Sequence, residues 1–199
     1  MKVSKIVKGM LAVLLALGIS FSVSACGDNS EEAIREGVDS MMAVFLNPVE
    51  NDAASFVDDA TLSQLEEYGI DANEYLSHCF KNLSYEITDV SVSGDSATVT
   101  MSITNANLMD ALNGAGEDFG AFASTDEAVE LYNTEGEEAL FAKLFEYLYA
   151  RLDAEDVELT TNEVQLTLTR DEEGTWTVNT DNPDFYSAIY GGADLTAAL

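Results

Sequence analysis

From Ala97 to Thr104 apolar and hydroxyl side chains alternate without a break. Ala97, Val99, Met101 and Ile103 fall on one side, and Thr98, Thr100, Ser102 and Thr104 on the other. A period of two over that length marks a strand with one buried and one wetted face. It commits the chain to an antiparallel sheet covered on one side. Upstream, Leu83, Tyr85 and Ile87 alternate, and Val90 and Val92 then continue one residue out of phase. A slip of one turns the apolar face outward unless an extra residue is absorbed. A β-bulge is therefore expected near Thr88-Asp89, with Ser93-Gly94-Asp95-Ser96 as the turn of the hairpin. Downstream, Val157 and Leu159 slip in the same way against Val164, Leu166 and Leu168, which predicts a second bulge. Asp171-Glu172-Glu173-Gly174 then turns the chain into a strand with Trp176 and Val178 inward.

The rest has the helical period. Ile34, Val38, Met41, Met42 and Phe45 share one face, closed by Asn47-Pro48, and Asn29 with Glu32 resembles a capping box. Asp52, Asp59 and Asp71 are candidate caps of three short helices, the second ending at Gly69 and the third carrying Leu76, Cys79 and Phe80. Residues 105–134 read as the least regular part, a helical turn at Leu108–Leu112 broken by Gly114-Ala115-Gly116, and hence a connection or lid. Their glycine spacing does not fit a phosphate loop, and Glu117 and Asp118 would repel phosphate. Thr134 and Glu137 form a capping box for the longest helix, whose stripe is Leu140, Phe141, Leu144, Phe145, Leu148 and Leu152. Pro183 opens a last helix with Phe185 and Ile189, closed by Gly191-Gly192.

The first residues carry Lys2, Lys5 and Lys8 and no acid, and Met10 to Val23 is almost wholly apolar. At about 14 residues this run falls short of the ~20 of a permanent membrane span and suits a signal-peptide core. Val23-Ser24-Ala25-Cys26 then resembles a bacterial lipobox. The resemblance implies diacylglycerol on the Cys26 thiol, cleavage before Cys26, and anchoring at the extracytoplasmic face of the membrane. Stable anchoring needs two acyl chains, which this modification provides. The expected organisation is a signal peptide over 1–25, a lipidated cysteine and tether over 26–29, and one domain over 30–199. Gly27, Asp28 and Asn29 would reach only about 10 Å, which keeps the domain beside the bilayer.

Removing residues 1–25 takes three of 8 basic residues and none of 37 acidic ones, leaving 5 against 37 and a formal charge of −32. Such a surface repels nucleic acid and anionic headgroups, so the lipid alone would hold the protein to the membrane. The hydrophobic fraction of 47% and its periodicity separate the chain from disordered acidic tails. With Cys26 lipidated, Cys79 has no disulfide partner and reads as a small buried hydrophobe.

The order of long helix, short helices, hairpin, helix and second hairpin resembles the nuclear-transport-factor-2-like (cystatin-like α+β) superfamily, and within it the small exported bacterial lipoproteins of unknown function. The likeness rests on Val164-Gln165-Leu166-Thr167-Leu168, on Gly174-Thr175-Trp176-Thr177-Val178, and on Asn182-Pro183-Asp184-Phe185 with Gly191-Gly192. It implies an α+β fold in which a curved antiparallel sheet of about four strands, two bulged hairpins, closes around helices as a cone. A pocket between sheet and helices would be lined by Phe45, Tyr85, Met101, Phe141 and Trp176. Some superfamily members use such a pocket for isomerase or dehydratase chemistry, and others bind or dimerise through the outer sheet face, so the fold alone does not decide function.

Residue chemistry points away from catalysis. His78 is the sole histidine and lies off the clearest apolar rows of its helix, which points to a surface or boundary role over catalysis, and no second histidine exists to complete a zinc site. No nucleophile elbow occurs, and Asp181 and Asp184 lack the rest of a calcium loop. Asp89, at the first bulge, faces either the pocket or solvent. No cofactor, metal or catalytic residue is expected. Three functions stay open: a lipoprotein binding a small apolar ligand in the helix–sheet pocket; an envelope protein-interaction module using the Thr-rich sheet face (Thr98, Thr100, Thr167, Thr169, Thr175, Thr177) or the acidic surface; and a pocket enzyme, which needs two titratable groups converging inside.

Overall fold

The computed structural model describes residues 22–23, 31–57, 59–179 and 181–194. Cys26, Asn29 and the rest of 24–30 lie outside them, so the lipobox, the tether and the first capping box do too. The sheet contains β1 (Ser22–Val23), β2 (Ser84–Ser93), β3 (Ser96–Ala106), β4 (Leu159–Arg170) and β5 (Trp176–Val178), in the spatial order β1-β5-β4-β3-β2. All neighbours are antiparallel. The helices are α1 (Glu31–Leu46), a 3-10 turn (Ala53–Phe56), α2 (Asp59–Glu67), α3 (Ala72–Cys79), α4 (Leu108–Phe122), α5 (Asp126–Glu135), α6 (Glu137–Leu152) and α7 (Pro183–Ile189). This is the α+β class expected: an antiparallel sheet packed on helices.

The alternation of β3 decides which face is buried. Ala97, Val99, Met101 and Ile103 are buried, joined by Val90 of β2, Val164, Leu166 and Leu168 of β4, and Trp176 and Val178 of β5. The register of β2 against β3 shifts between Ile87 and Asp89, the bulge that the phase slip requires. Thr88 is the residue absorbed, and Arg35 of α1 donates to the Ile87 carbonyl at 3.2 Å, giving a partner to a backbone group beside the bulge. Asp89 faces outward, paired with Thr100, and is exposed.

The second bulge does not form. β4 runs from Leu159 to Arg170 in unbroken register against β3. Val157 lies before the strand, in a turn where its amide donates to the Ala154 carbonyl, so its phase is not tied to the sheet. Leu159 simply stands on the outer face, 48% exposed.

Residues 105–134 are not a lid either. Asn107 caps α4 through the Asp110 amide, and the helix continues through Gly114, Gly116 and Gly120. Leu108, Ala111, Leu112, Ala115, Phe119 and Phe122 are buried, and this apolar row outweighs the glycine penalty of about 1 kcal/mol per residue. α6 is the hub of the helical layer, packed on α3, α4 and α5. Its expected capping box is absent. Gly136, at φ +88°, takes the cap position, and Thr134 turns back to the Glu130 carbonyl inside α5. Asp52 likewise makes no side-chain cap, and the Ala54 amide is met by Asn73 instead. Asp59 stands inside its helix, whereas Asp71 caps α3 as expected through the Glu74 amide, at 2.8 Å.

Candidate functional site

The five residues expected to line a pocket enter a common hydrophobic core. Phe45 of α1 is 1% exposed and meets the rings of Phe80 and Phe185 edge-on. Met101 and Trp176, both 0% exposed, point inward from the sheet. Arg170 covers the Trp176 ring, its guanidinium carbon 5.6 Å from the centroid. Phe141 stacks on Tyr68 at 3.9 Å. Tyr85 is half-buried at the margin, where its hydroxyl donates to Asp39 at 2.6 Å. That bond and partial burial raise the Tyr85 pKa, burial being the larger cause.

A group of titratable side chains lies elsewhere, where α3, α6 and the end of α7 meet. The Asp71 cap sets the phase of α3 so that Tyr75, Leu76 and Cys79 turn inward and His78 stands at the boundary. Burial pushes the Cys79 thiol up to about 12. Burial also raises the pKa of Tyr75 and Tyr190, with the neighbouring Cys79 acting in the same direction, and that of Tyr149. The Tyr75 and Tyr149 hydroxyls are buried and make no well-formed hydrogen bond. Each of these groups is held neutral at neutral pH, since burial disfavours its charged form.

Around this interior, Asn105, His78, Lys81 and Asp153 are hydrogen-bonded or ion-paired. Asn105, fully buried at the end of β3, donates to the carbonyls of Cys79 (2.9 Å) and Ile189 (2.6 Å) and accepts from the Ala106 amide. One side chain thus ties the sheet to the ends of α3 and α7. At the rim, His78 Nδ1 donates to Asp153 at 3.0 Å, and Lys81 pairs with the other carboxylate oxygen at 3.1 Å. Partial burial pushes the Asp153 carboxyl up, but the bonds from His78 and Lys81 outweigh it and hold its pKa below the usual value. The sequence carried one sign of this cluster: Tyr75 and Cys79 form an i, i+4 row beside the Leu76–Phe80 row. Its partners Tyr149 and Tyr190 come from distant segments and gave no local signal.

Two surface features complete the inventory. The outer sheet face carries Thr98, Thr100, Ser102 and Thr104 on β3, and exposed Thr161, Glu163, Gln165, Thr167 and Thr169 on β4. Among the described residues, clefts open between the 3-10 turn, α2 and α3, at about 370 Å³, and between the end of α1 and the end of α3, at about 310 Å³. Neither is lined by the five expected pocket residues. Among the described residues, no group of three or more His, Cys, Asp and Glu side chains could hold a metal ion. No helix among them is long and apolar enough to cross a membrane.

No protein-family model and no curated protein matches the chain. Among solved structures, the chain is similar to a "putative lipoprotein (ycdA)" from Bacillus subtilis subsp. subtilis str. 168, at 12% identity and a TM-score of 0.49, over 88% of this chain and 67% of that one.

Proposed function

We propose that this chain is an exported lipoprotein, anchored through lipid on Cys26 at the extracytoplasmic face of the membrane, that works as a non-enzymatic protein-interaction module. The cone of the nuclear-transport-factor-2-like superfamily is the scaffold that this reading assumes. The observation that carries it is the outer face of the sheet, which no described helix covers: an array of half-exposed β3 and exposed β4 hydroxyls with Glu86, Asp89 and Glu163 and no basic residue on β2 or β3. A hydroxyl-rich face with scattered carboxylates suits a polar, basic protein partner, since complementary charge steers the encounter and sets its register.

The other mode, a small apolar ligand between sheet and helices, is less well supported. Phe45, Met101, Phe141 and Trp176 are each at most 6% exposed and pack within the core. Cross-linking in native membranes separates the modes. The module reading expects a specific basic partner, lost at high salt and on Thr167→Lys with Thr98→Lys. A native mass spectrum with a retained small molecule and no cross-linked partner would replace it with the ligand reading.

A further inference from the structure

We propose that the outer edge of β5 docks an extended, basic-flanked segment of a partner protein, and that Ser22–Val23 covers this edge until the signal peptide is cut. The inference rests on the reading of Cys26 as the processed, lipidated residue. β1 is the terminal strand of the sheet, with Ser22 opposite Thr177 and Val23 opposite Trp176. Both of its residues precede Cys26, so cleavage there removes β1 and leaves β5 at the end of the sheet. The hydrogen-bond phase identifies the groups that are freed. On the β4 side, the Asp171 amide donates to the Thr175 carbonyl and the Asn179 amide to the Thr167 carbonyl, flanking the Thr169–Thr177 pair. Hydrogen-bonded and non-bonded pairs alternate along an antiparallel ladder. Thr177 therefore turns its backbone groups to β4, and Trp176 and Val178 turn theirs to the outer edge.

The occupant follows from what the edge already holds. An unpaired edge is a template for one more strand, with backbone bonds supplying affinity and alternate side chains selecting the segment. In sequence, Ser20-Phe21-Ser22-Val23-Ser24-Ala25 alternates hydroxyl and apolar residues, the period that matches buried Trp176 beside exposed Thr177. Asp171, Glu172 and Glu173 before β5 and Asp181 after it are exposed, and the Arg170 guanidinium is taken by Asp95 at 2.6 Å. A segment that replaces β1 thus keeps its alternation and carries Lys or Arg beside it, since complementary charge fixes register.

The test compares the protein processed in native membranes with the full chain carrying Cys26→Ala, which cannot be lipidated or cut, both in one detergent. Mass spectrometry reads the cleavage, and residue-resolved hydrogen exchange reads the edge. The Trp176 amide should exchange about tenfold faster or more in the processed form, while the Thr177 amide, bonded toward β4, stays unchanged. A peptide of residues 20–25 followed by two lysines should bind the processed form saturably and restore the Trp176 protection. It should bind about tenfold tighter than the same peptide ending in two glutamates. The Cys26→Ala chain should not bind it, and a Val23→Pro version of the peptide, which lacks the amide, should not bind the processed form. A chain that is never cut keeps its edge covered and overturns the inference together with the lipoprotein reading. A cut chain whose Trp176 amide exchanges no faster, or whose Thr177 amide accelerates equally, overturns the inference alone. Equal binding of the lysine peptide and either its proline or its glutamate version does the same.

Discussion

His78 lies face to face with Tyr149, ring centroids 3.9 Å apart and planes 15° from parallel, while its Nδ1 donates to Asp153. One imidazole therefore joins α3 to α6 by stacking and to the residue after α6 by a hydrogen bond. The Asp153 carboxyl, held below its ordinary value in the folded protein, titrates near 3.9 when unfolded. Its contribution to stability is present above the unfolded value and disappears as pH falls through the folded one. Urea unfolding should find Asp153→Asn less stable than the parent by about 1 kcal/mol or less at pH 6, a size set by solvent screening. The gap should close progressively below about pH 4. A gap that stays constant down to pH 2.5 would show that the pairing does not depend on carboxylate charge.

Cys79 gives the opposite dependence. Its pKa rises from 9.0 to about 12 on folding, so between these values the unfolded chain has lost a proton that the folded chain keeps. Stability then falls with rising pH, by about 1.4 kcal/mol per unit for one such group. The parent should weaken from about pH 9, whereas Cys79→Ala should hold a flat profile until the tyrosines begin to titrate near 10. Urea midpoints from pH 8 to 10.5 read this directly. The native thiol, 2% exposed, should also react with a thiol reagent only as fast as the protein opens.

What could be read in the sequence was whatever repeats with a local period. The β3 row and the stripes of α1 and α6 were legible because each core residue announces its face through its own neighbours. The bulge at Thr88 was legible as a phase slip. The same slip at 157–164 misled because it lies where the chain is not yet in the sheet, and nothing local separates an absorbed residue from an outward Leu159. Gly114, Gly116 and Gly120 concealed α4, since helix propensity is a weak prior that tertiary burial of Ala115 and Phe119 overrides. The Tyr75–Cys79–Tyr149–Tyr190 cluster is assembled across three helical segments, so no window of sequence contains it.

Gly191 and Asn105 hold the same junction from two sides. Gly191 has φ +68°, and a Cβ there would collide with the Ala106 carbonyl. The neighbouring Leu108 amide donates to the Tyr190 carbonyl, and Asn107 Nδ2 donates to that of Gly191. Gly191→Ala combines a left-handed backbone with a backbone clash and should cost about 3 kcal/mol or more. Asn105→Leu leaves the Cys79 and Ile189 carbonyls without their buried donor and should cost about 2–4 kcal/mol. The two changes act on one junction, so their double mutant should be less destabilised than the sum. Additive losses in denaturant midpoints would mean that the contacts are independent.

The glycines of α4 should respond in the other direction. No atom lies within 4 Å of a Cβ built on Gly116 or Gly120, so alanine meets open space and gains helix propensity. Each substitution should stabilise the protein by about 0.5–1 kcal/mol. Gly114 differs: its Cβ would stand 2.8 Å from Arg151 Nη1. That atom is the far end of a flexible side chain, paired with Asp118 at the surface at 2.8 Å, so Arg151 moves aside and loses an exposed ion pair worth under about 1 kcal/mol. The propensity gain offsets the loss, and Gly114→Ala should be close to neutral. In Arg151→Ala, where the obstacle is gone, Gly114→Ala should recover the full stabilisation seen at Gly116. Thermal unfolding of the five variants, the Gly114→Ala/Arg151→Ala double included, tests this, and strong destabilisation by Gly116→Ala would mean that α4 does not run unbroken through its glycines.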